Sequence, residues 1–154
     1  METNKEEKMK IVIATDHNGV EEKKKVIEVL KNKYEIIDKS TENTLTDDYP
    51  SFAFDVAEYV RDNNGSLGIL MCGTGIGMSI AANKVNGIRC AHISNINEAR
   101  LAKEHNNANI IALSYKNDIN DIINYVRTFI ETEFLEEERH VRRNKMIIEY
   151  EKRN

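Results

Sequence analysis

The chain has no tryptophan, one proline (Pro50) and only two cysteines, Cys72 and Cys90, in 154 residues. The missing tryptophan and scarce proline exclude nothing by themselves. Two cysteines are too few for a disulfide scaffold, and free thiols fit the reducing cytoplasm, where the protein is expected. No apolar run approaches the ~20 residues of a membrane-spanning helix, so no membrane partner is expected. The first ten residues are polar and lack the apolar stretch of a signal peptide. Positive charge is not in excess: 22 Lys and Arg against 26 Asp and Glu give a net charge of −4, so no global field draws nucleic acid. The four histidines and two cysteines show no ligand-pair spacing, so no metal is expected.

What remains is the balance of an ordinary globular chain, 40% hydrophobic and 31% charged, long enough to bury a core without staples. Apolar runs alternate with helical patterns. Lys10–Thr15 (KIVIAT) reads as a strand buried on both faces. Residues 34–38 (YEIID), 67–71 (LGILM), 87–92 (GIRCAH) and 109–113 (NIIAL) read as four more. Between them Val26, Ile27 and Leu30, then Phe52, Ala53, Val56, Ala57 and Val60, then Ile80 to Ala82 recur at helical spacing. Pro50 falls in the first turn of its helix, where a missing N–H does no harm. Asn95 with Glu98 three residues on forms a capping-box pattern ahead of Ala99, Leu101 and Ala102. Ile119, Ile122, Ile123, Val126 and Ile130 make a helical stripe, and a charged helix closes the chain.

This order predicts an α/β fold: a five-stranded parallel sheet with helices on both faces, a three-layer sandwich with an extra C-terminal helix. Residues 1–9 are expected to be a flexible extension and residues 10–154 a single domain. No repeat or linker interrupts it. Ligands of such sheets bind beyond the carboxyl ends of the strands, so chemistry is sought in the residues that follow them.

The first strand is followed by Asp16, His17, Asn18 and Gly19, and the third by Cys72, Gly73, Thr74, Gly75, Ile76 and Gly77. Ser94 and Asn95 follow the fourth, and His105-Asn106 ends the next helix. These groups are expected to gather on one edge. Glycines let backbone N–H groups face a ligand, and a helix N-terminus behind them suits a phosphate or a developing oxyanion. The loop is not a dinucleotide fingerprint, since Met78 stands at the sixth position counted from Gly73, and no Gly-Lys-Ser/Thr marks a P-loop. Cys72, at the mouth of the loop, suits either a reactive thiolate or a buried structural thiol. Cys90, within a strand, reads as core. His17 and His105 suit either catalysis or surface hydrogen bonding, and His92 reads as structural. Arg139 and Arg143, four apart, share one helix face that could clamp a phosphate or pair with Glu136, Glu137 and Glu138.

Together these residues resemble one family, the type B ribose-5-phosphate isomerases, with which the galactose-6-phosphate isomerase subunits are grouped. The resemblance is carried by Asp16-His17-Asn18-Gly19, Asp48-Tyr49-Pro50, the run from Cys72-Gly73-Thr74-Gly75 to Asn83-Lys84, Gly87-Ile88-Arg89, Glu104-His105-Asn106 and Arg139-His140-Val141-Arg142-Arg143. It implies a Rossmann-like sheet, a homodimer or a tetramer built from it, and interconversion of ribose 5-phosphate and ribulose 5-phosphate without metal or organic cofactor. By that resemblance Cys72 is the base that moves a proton between C2 and C1, with Thr74 orienting it or the substrate. His105 assists ring opening, with Asp16 nearby. Gly73, Thr74, Gly75, Ile76, Gly77 and Asn106 hold the enediolate oxygen, and Tyr49 lines the sugar site. His17, Arg139 and Arg143 bind the phosphate, the arginines coming from the partner subunit. One departure stands out. After the fifth strand the family often has Gly-Ser-Arg, and this chain has Ser114-Tyr115-Lys116, which bears on sugar length because a lysine lacks the planar fork. The alternatives are a hexose-6-phosphate isomerase acting on allose or galactose 6-phosphate, and a non-catalytic sugar-phosphate-binding module.

Overall fold

Five short strands carry the apolar runs: β1 (Lys10–Thr15), β2 (Glu35–Asp38), β3 (Leu67–Cys72), β4 (Cys90–His92) and β5 (Ile110–Ser114). Among the described residues there are six helices: α1 (Val20–Leu30), α2 (Tyr49–Asp62), α3 (Ile76–Ala82), α4 (Ile96–Asn106), α5 (Ile119–Glu131) and α6 (Glu138–Glu151). The computed structural model describes residues 7–153. Residues 1–6 of the expected extension lie outside the described residues. Glu7, Lys8 and Met9 are exposed and belong to no strand or helix.

The strands pair in parallel in the order β2-β1-β3-β5-β4. Right-handed crossovers then dictate the layers. The steps from β1 to β2 and from β4 to β5 run one way across the sheet, and those from β2 to β3 and β3 to β4 run the other. Accordingly α1 and α4, joined by α5, pack on one face against Ile11, Ile13, Ile69, Met71 and Leu113. Helices α2 and α3 cover the other face against Val12, Ala14, Leu70 and Ala112. The fold is the α/β three-layer sandwich expected, with α6 as the extra helix.

Strand β4 is shorter than the apolar run 87–92 predicts. Gly87 has a φ of +89°, and the Arg89 N–H donates to the Asn109 side-chain oxygen at 2.8 Å rather than to a strand, so sheet pairing begins at Cys90. The Asn95 cap forms as expected, its side chain accepting from the Glu98 N–H at 2.8 Å. The Glu98 carboxylate returns to the Ser94 N–H and hydroxyl, one residue earlier than a capping box places it. The direction in which successive strands are laid down reverses between β1 and β3, which opens a crevice at their carboxyl ends. Among the described residues no helix is long and apolar enough to cross a membrane.

Candidate active site

The crevice is walled by the end of β1 and the glycine loop after β3. Cys72 is the last residue of β3 and is almost fully buried. The loop turns back at once, and the Gly75 N–H donates to the Cys72 sulfur at 3.1 Å. Gly75 is held at a φ of +82°, and a Cβ there would meet the Leu113 backbone at 2.8 Å, so the close return needs glycine on both counts. Thr74 Oγ1 accepts from the Ile76 N–H at 3.1 Å, and His92 Nε2 lies 2.8 Å from the Thr74 carbonyl. Ser114 ties down the other side, its hydroxyl donating to the Gly73 carbonyl at 2.7 Å. Helix α3 has seven residues, only two turns, so the oriented N–H groups of the loop matter more than a long helix dipole. A Cβ at Gly73 would meet nothing closer than the Tyr115 hydroxyl at 3.8 Å, which leaves room for a ligand over that residue.

The other wall is pinned from β2. Lys23 is buried, and its ammonium donates to Ser40 O at 2.7 Å and lies 2.9 Å from Asp38 Oδ2. The Ser40 hydroxyl in turn accepts from the Thr15 N–H at 3.0 Å, and Asn43 donates to the Thr15 carbonyl at 3.1 Å. The polar loop 40–48 is therefore fastened beside the end of β1. There it presents Asp47 to His17: one carboxylate oxygen lies 2.7 Å from His17 Nδ1 and accepts the His17 backbone N–H at 3.2 Å. Burial alone would raise the Asp47 pKa, but hydrogen bonds from Asn43, His17 and Thr44 outweigh it and hold the carboxyl below its ordinary value. Asp16 closes a local turn, accepting from the Asn18 N–H at 3.0 Å.

Tyr49, the first residue of α2, lies over the glycine loop, since a Cβ at Gly77 would run into its ring. Asp16, His17, Tyr49 and the loop from Cys72 to Gly77 are thus brought together. Two residues that the linear pattern did not single out join them. Asp47 sits 30 positions from His17, and no spacing rule links the two. Tyr115 was noticed only as part of the Ser114-Tyr115-Lys116 departure, yet its ring reaches across to Gly19 and Gly73. Lys116 is exposed beside them. Cys90, by contrast, is core as read. Burial pushes its thiol up to about 12, against a smaller opposing effect from a Ser79 hydrogen bond.

His105 and Asn106 are not on this edge, which corrects the expectation that all the polar groups gather there. Helix α4 starts beyond the carboxyl end of β4 and its 11 residues run back to the amino ends of the strands, roughly 16 Å away. At that end Arg89, which precedes β4, donates to the Asn106 and Asn107 carbonyls at 3.2 and 2.8 Å. His105 there forms a second cluster with α6. Its ring stacks on His140 with centroids 4.3 Å apart and planes 17° from parallel, and Asn144 donates to its carbonyl at 2.9 Å. Burial, then the neighbouring charges of His105, Arg139 and Arg143, lower the His140 pKa, which favours a neutral ring under His105. Arg139 pairs with Glu137 at 2.6 Å, and Arg143 stands exposed one turn on. One chain therefore holds the expected site residues in two clusters at opposite ends of its sheet.

A parallel α/β sheet with a buried cysteine under a glycine loop at its switch point defines a small-ligand protein of the Rossmann-like class. Comparison with known proteins narrows this. The profile of the Ribose/Galactose Isomerase family matches residues 11–147, and the chain belongs to that family. The ribose-5-phosphate isomerase B of Mycobacterium leprae is 37% identical over 147 residues, 94% of this chain and 91% of that protein. Among solved structures, the Mycoplasma genitalium ribose-5-phosphate isomerase B with bound ribulose-5-phosphate has a TM-score of 0.91 at 40% identity, covering 97% of this chain and 100% of that one. The Clostridium thermocellum ribose-5-phosphate isomerase B has a TM-score of 0.88 at 43% identity, covering 94% of this chain and 99% of that one.

Proposed function

We infer that the protein is an aldose–ketose isomerase that interconverts ribose 5-phosphate and ribulose 5-phosphate, a step of the non-oxidative pentose phosphate pathway. The observation that carries this reading is the Cys72 sulfur held beneath the Gly75 N–H at 3.1 Å, at the mouth of a glycine loop, in a chain of this family. Starting from the aldose, Cys72 takes the proton from C2. The electron pair left behind forms the C1–C2 double bond of an enediolate, and the proton returns to C1. Of the loop N–H groups, those of Gly75 and Ile76 are spent on the Cys72 sulfur and the Thr74 hydroxyl, and those of Gly73, Thr74 and Gly77 face the oxygen on which charge develops, where fixed donors are most effective. Thr74 and Asp16 orient the sugar, Tyr49 lines it, and His17, fixed by Asp47, binds the phosphate. The reading needs no metal or organic cofactor, because a base, oxyanion donors, a ring-opening group and a cationic anchor are all side-chain or backbone groups.

The separation of the two clusters gives the homodimer a chemical reason. A second copy that lays its α4–α6 end on the carboxyl edge of the first would bring His105 and Asn106 to the sugar together with Arg139 and Arg143 to the phosphate. Helix α6 buries only His140 and Asn144 and leaves Val141, Met146 and Ile147 exposed, and Ile76 and Ile80 of α3 are also exposed. Apolar patches of this kind suit an interface between copies. Free thiols suit a cytoplasmic setting.

The direct test is an assay of the purified protein on ribose 5-phosphate, allose 6-phosphate and galactose 6-phosphate. Turnover of ribose 5-phosphate with the highest kcat/KM is expected. A preference for either hexose phosphate would replace the substrate, and binding without turnover would make the chain a sugar-phosphate-binding module.

A further inference from the structure

The residue after β5 carries chemistry that the isomerase reading leaves unused. The Tyr115 N–H donates to the Cys72 carbonyl at 3.2 Å, so its backbone is fastened to the base of the glycine loop. From there the ring crosses the crevice. A Cβ at Gly19 would come within 3.3 Å of its Cδ1, and one at Gly73 within 3.8 Å of its hydroxyl. The phenol therefore lies between the end of β1 and the end of β3. Burial, followed by the nearby Asp16 and Cys72 charges, raises its pKa against a smaller opposing effect from Asn18. A phenol so placed keeps its proton and remains a donor.

Two consequences follow for a ligand in the crevice. The hydroxyl is a neutral donor set between a carboxylate and a sulfur, both of which only accept when ionised. The ring is a floor packed closely on Gly19, where a Cβ would come within 3.3 Å of it, while its hydroxyl reaches out over Gly73. We propose that Tyr115 is a specificity-determining residue: its hydroxyl donates to a sugar hydroxyl and its ring limits the sugar to five carbons. The inference rests on the isomerase reading for the identity of the ligand, and on the position of Tyr115 alone for the length limit.

The test compares wild type, Tyr115→Ser and Tyr115→Phe on ribose 5-phosphate and allose 6-phosphate. Discrimination by one carbon unit in a fitted pocket is worth roughly 10–200-fold. Tyr115→Ser should shift the ratio of kcat/KM toward the six-carbon substrate by tenfold or more. Tyr115→Phe keeps the ring, so it should keep the ratio while raising KM for ribose 5-phosphate at unchanged melting temperature. If Tyr115→Ser does not fold, Tyr115→Leu keeps an apolar contact on Gly19, shortens the side chain and reads the same ratio. An unchanged ratio in the shortened variant, or an equal loss on both substrates, overturns the length limit. If wild type turns over neither sugar phosphate, the isomerase reading fails by itself. Calorimetric binding of the same two compounds then measures the ratio without catalysis, so the two failures are told apart.

Discussion

His17 Nδ1 lies 2.7 Å from Asp47 Oδ1, across a gap of 30 residues in sequence. An ionised carboxylate can only accept, so the short contact puts the proton on Nδ1 and leaves Nε2 as the ring nitrogen available to a ligand. The same oxygen takes the His17 backbone N–H at 3.2 Å, so ring and main chain are fixed by one acceptor.

Asp47→Asn should therefore act on binding. The substitution removes the charged acceptor that fixes both the His17 ring and its main chain, so the ring loses its set orientation toward the phosphate. A charge-assisted hydrogen bond is worth about 1.5–3 kcal/mol, so KM for a sugar phosphate should rise roughly tenfold or more. The change in kcat should be much smaller. Steady-state kinetics separate the two, and a kcat loss at constant KM would remove Asp47 from phosphate binding.

Asp47 also contributes to acid stability. Its native pKa is held below the ordinary value of 3.8, so its contribution is fully present above that value and is lost as pH falls through the native one. Thermal melts of wild type and Asp47→Asn should differ most near neutral pH and converge below about pH 4. A gap that stays constant down to pH 3 would show that the carboxylate is not the source.

Two glycines of one loop should fail in different ways. Gly75→Ala forces a side chain into the left-handed region and toward the Leu113 backbone, at 2.8 Å. The backbone strain alone costs about 1–3 kcal/mol, which a urea midpoint will register. Gly73→Ala meets only the Tyr115 hydroxyl at 3.8 Å, so its stability should be nearly native while its methyl group intrudes on the ligand space and lowers activity.

The pairing of the two clusters across copies can be tested by complementation. Cys72→Ala should cut turnover roughly 10²–10⁴-fold, the usual range for loss of a general base. His105→Asn and Arg139→Ala should each be strongly impaired. Mixed with Cys72→Ala and allowed to exchange subunits, each should regain activity, because one site in a mixed dimer receives Cys72 from one chain and the α4–α6 residues from the other. Confirmed exchange without recovery would mean that Cys72 and these residues serve within one chain.

Much of this architecture was legible in the sequence. The runs at β1, β3 and β5 are apolar on both faces, which marks buried parallel strands, and the Cys72 to Gly77 loop stands out by composition alone. The start of β4 did not, because the Gly87 and Arg89 N–H groups donate to side chains, those of Glu151 and Asn109, instead of to a strand. The location of His105 was misjudged for a geometric reason: an 11-residue helix returns to the opposite end of the sheet from where it began. Asp47 and Tyr115 were hidden because their importance lies in which strand end they lean on, and that depends on the strand order β2-β1-β3-β5-β4.

The two clusters lie at opposite ends of the same sheet, with Cys72 closing β3 and His105 one residue before the end of α4. On the proposed dimer a lone chain would carry two incomplete halves and a pair two complete sites. Catalytic output would then be tied to mass action between copies of the chain. Below the dissociation constant of the pair, activity would fall with the square of the protein concentration, so dilution itself would switch the chemistry off without any effector.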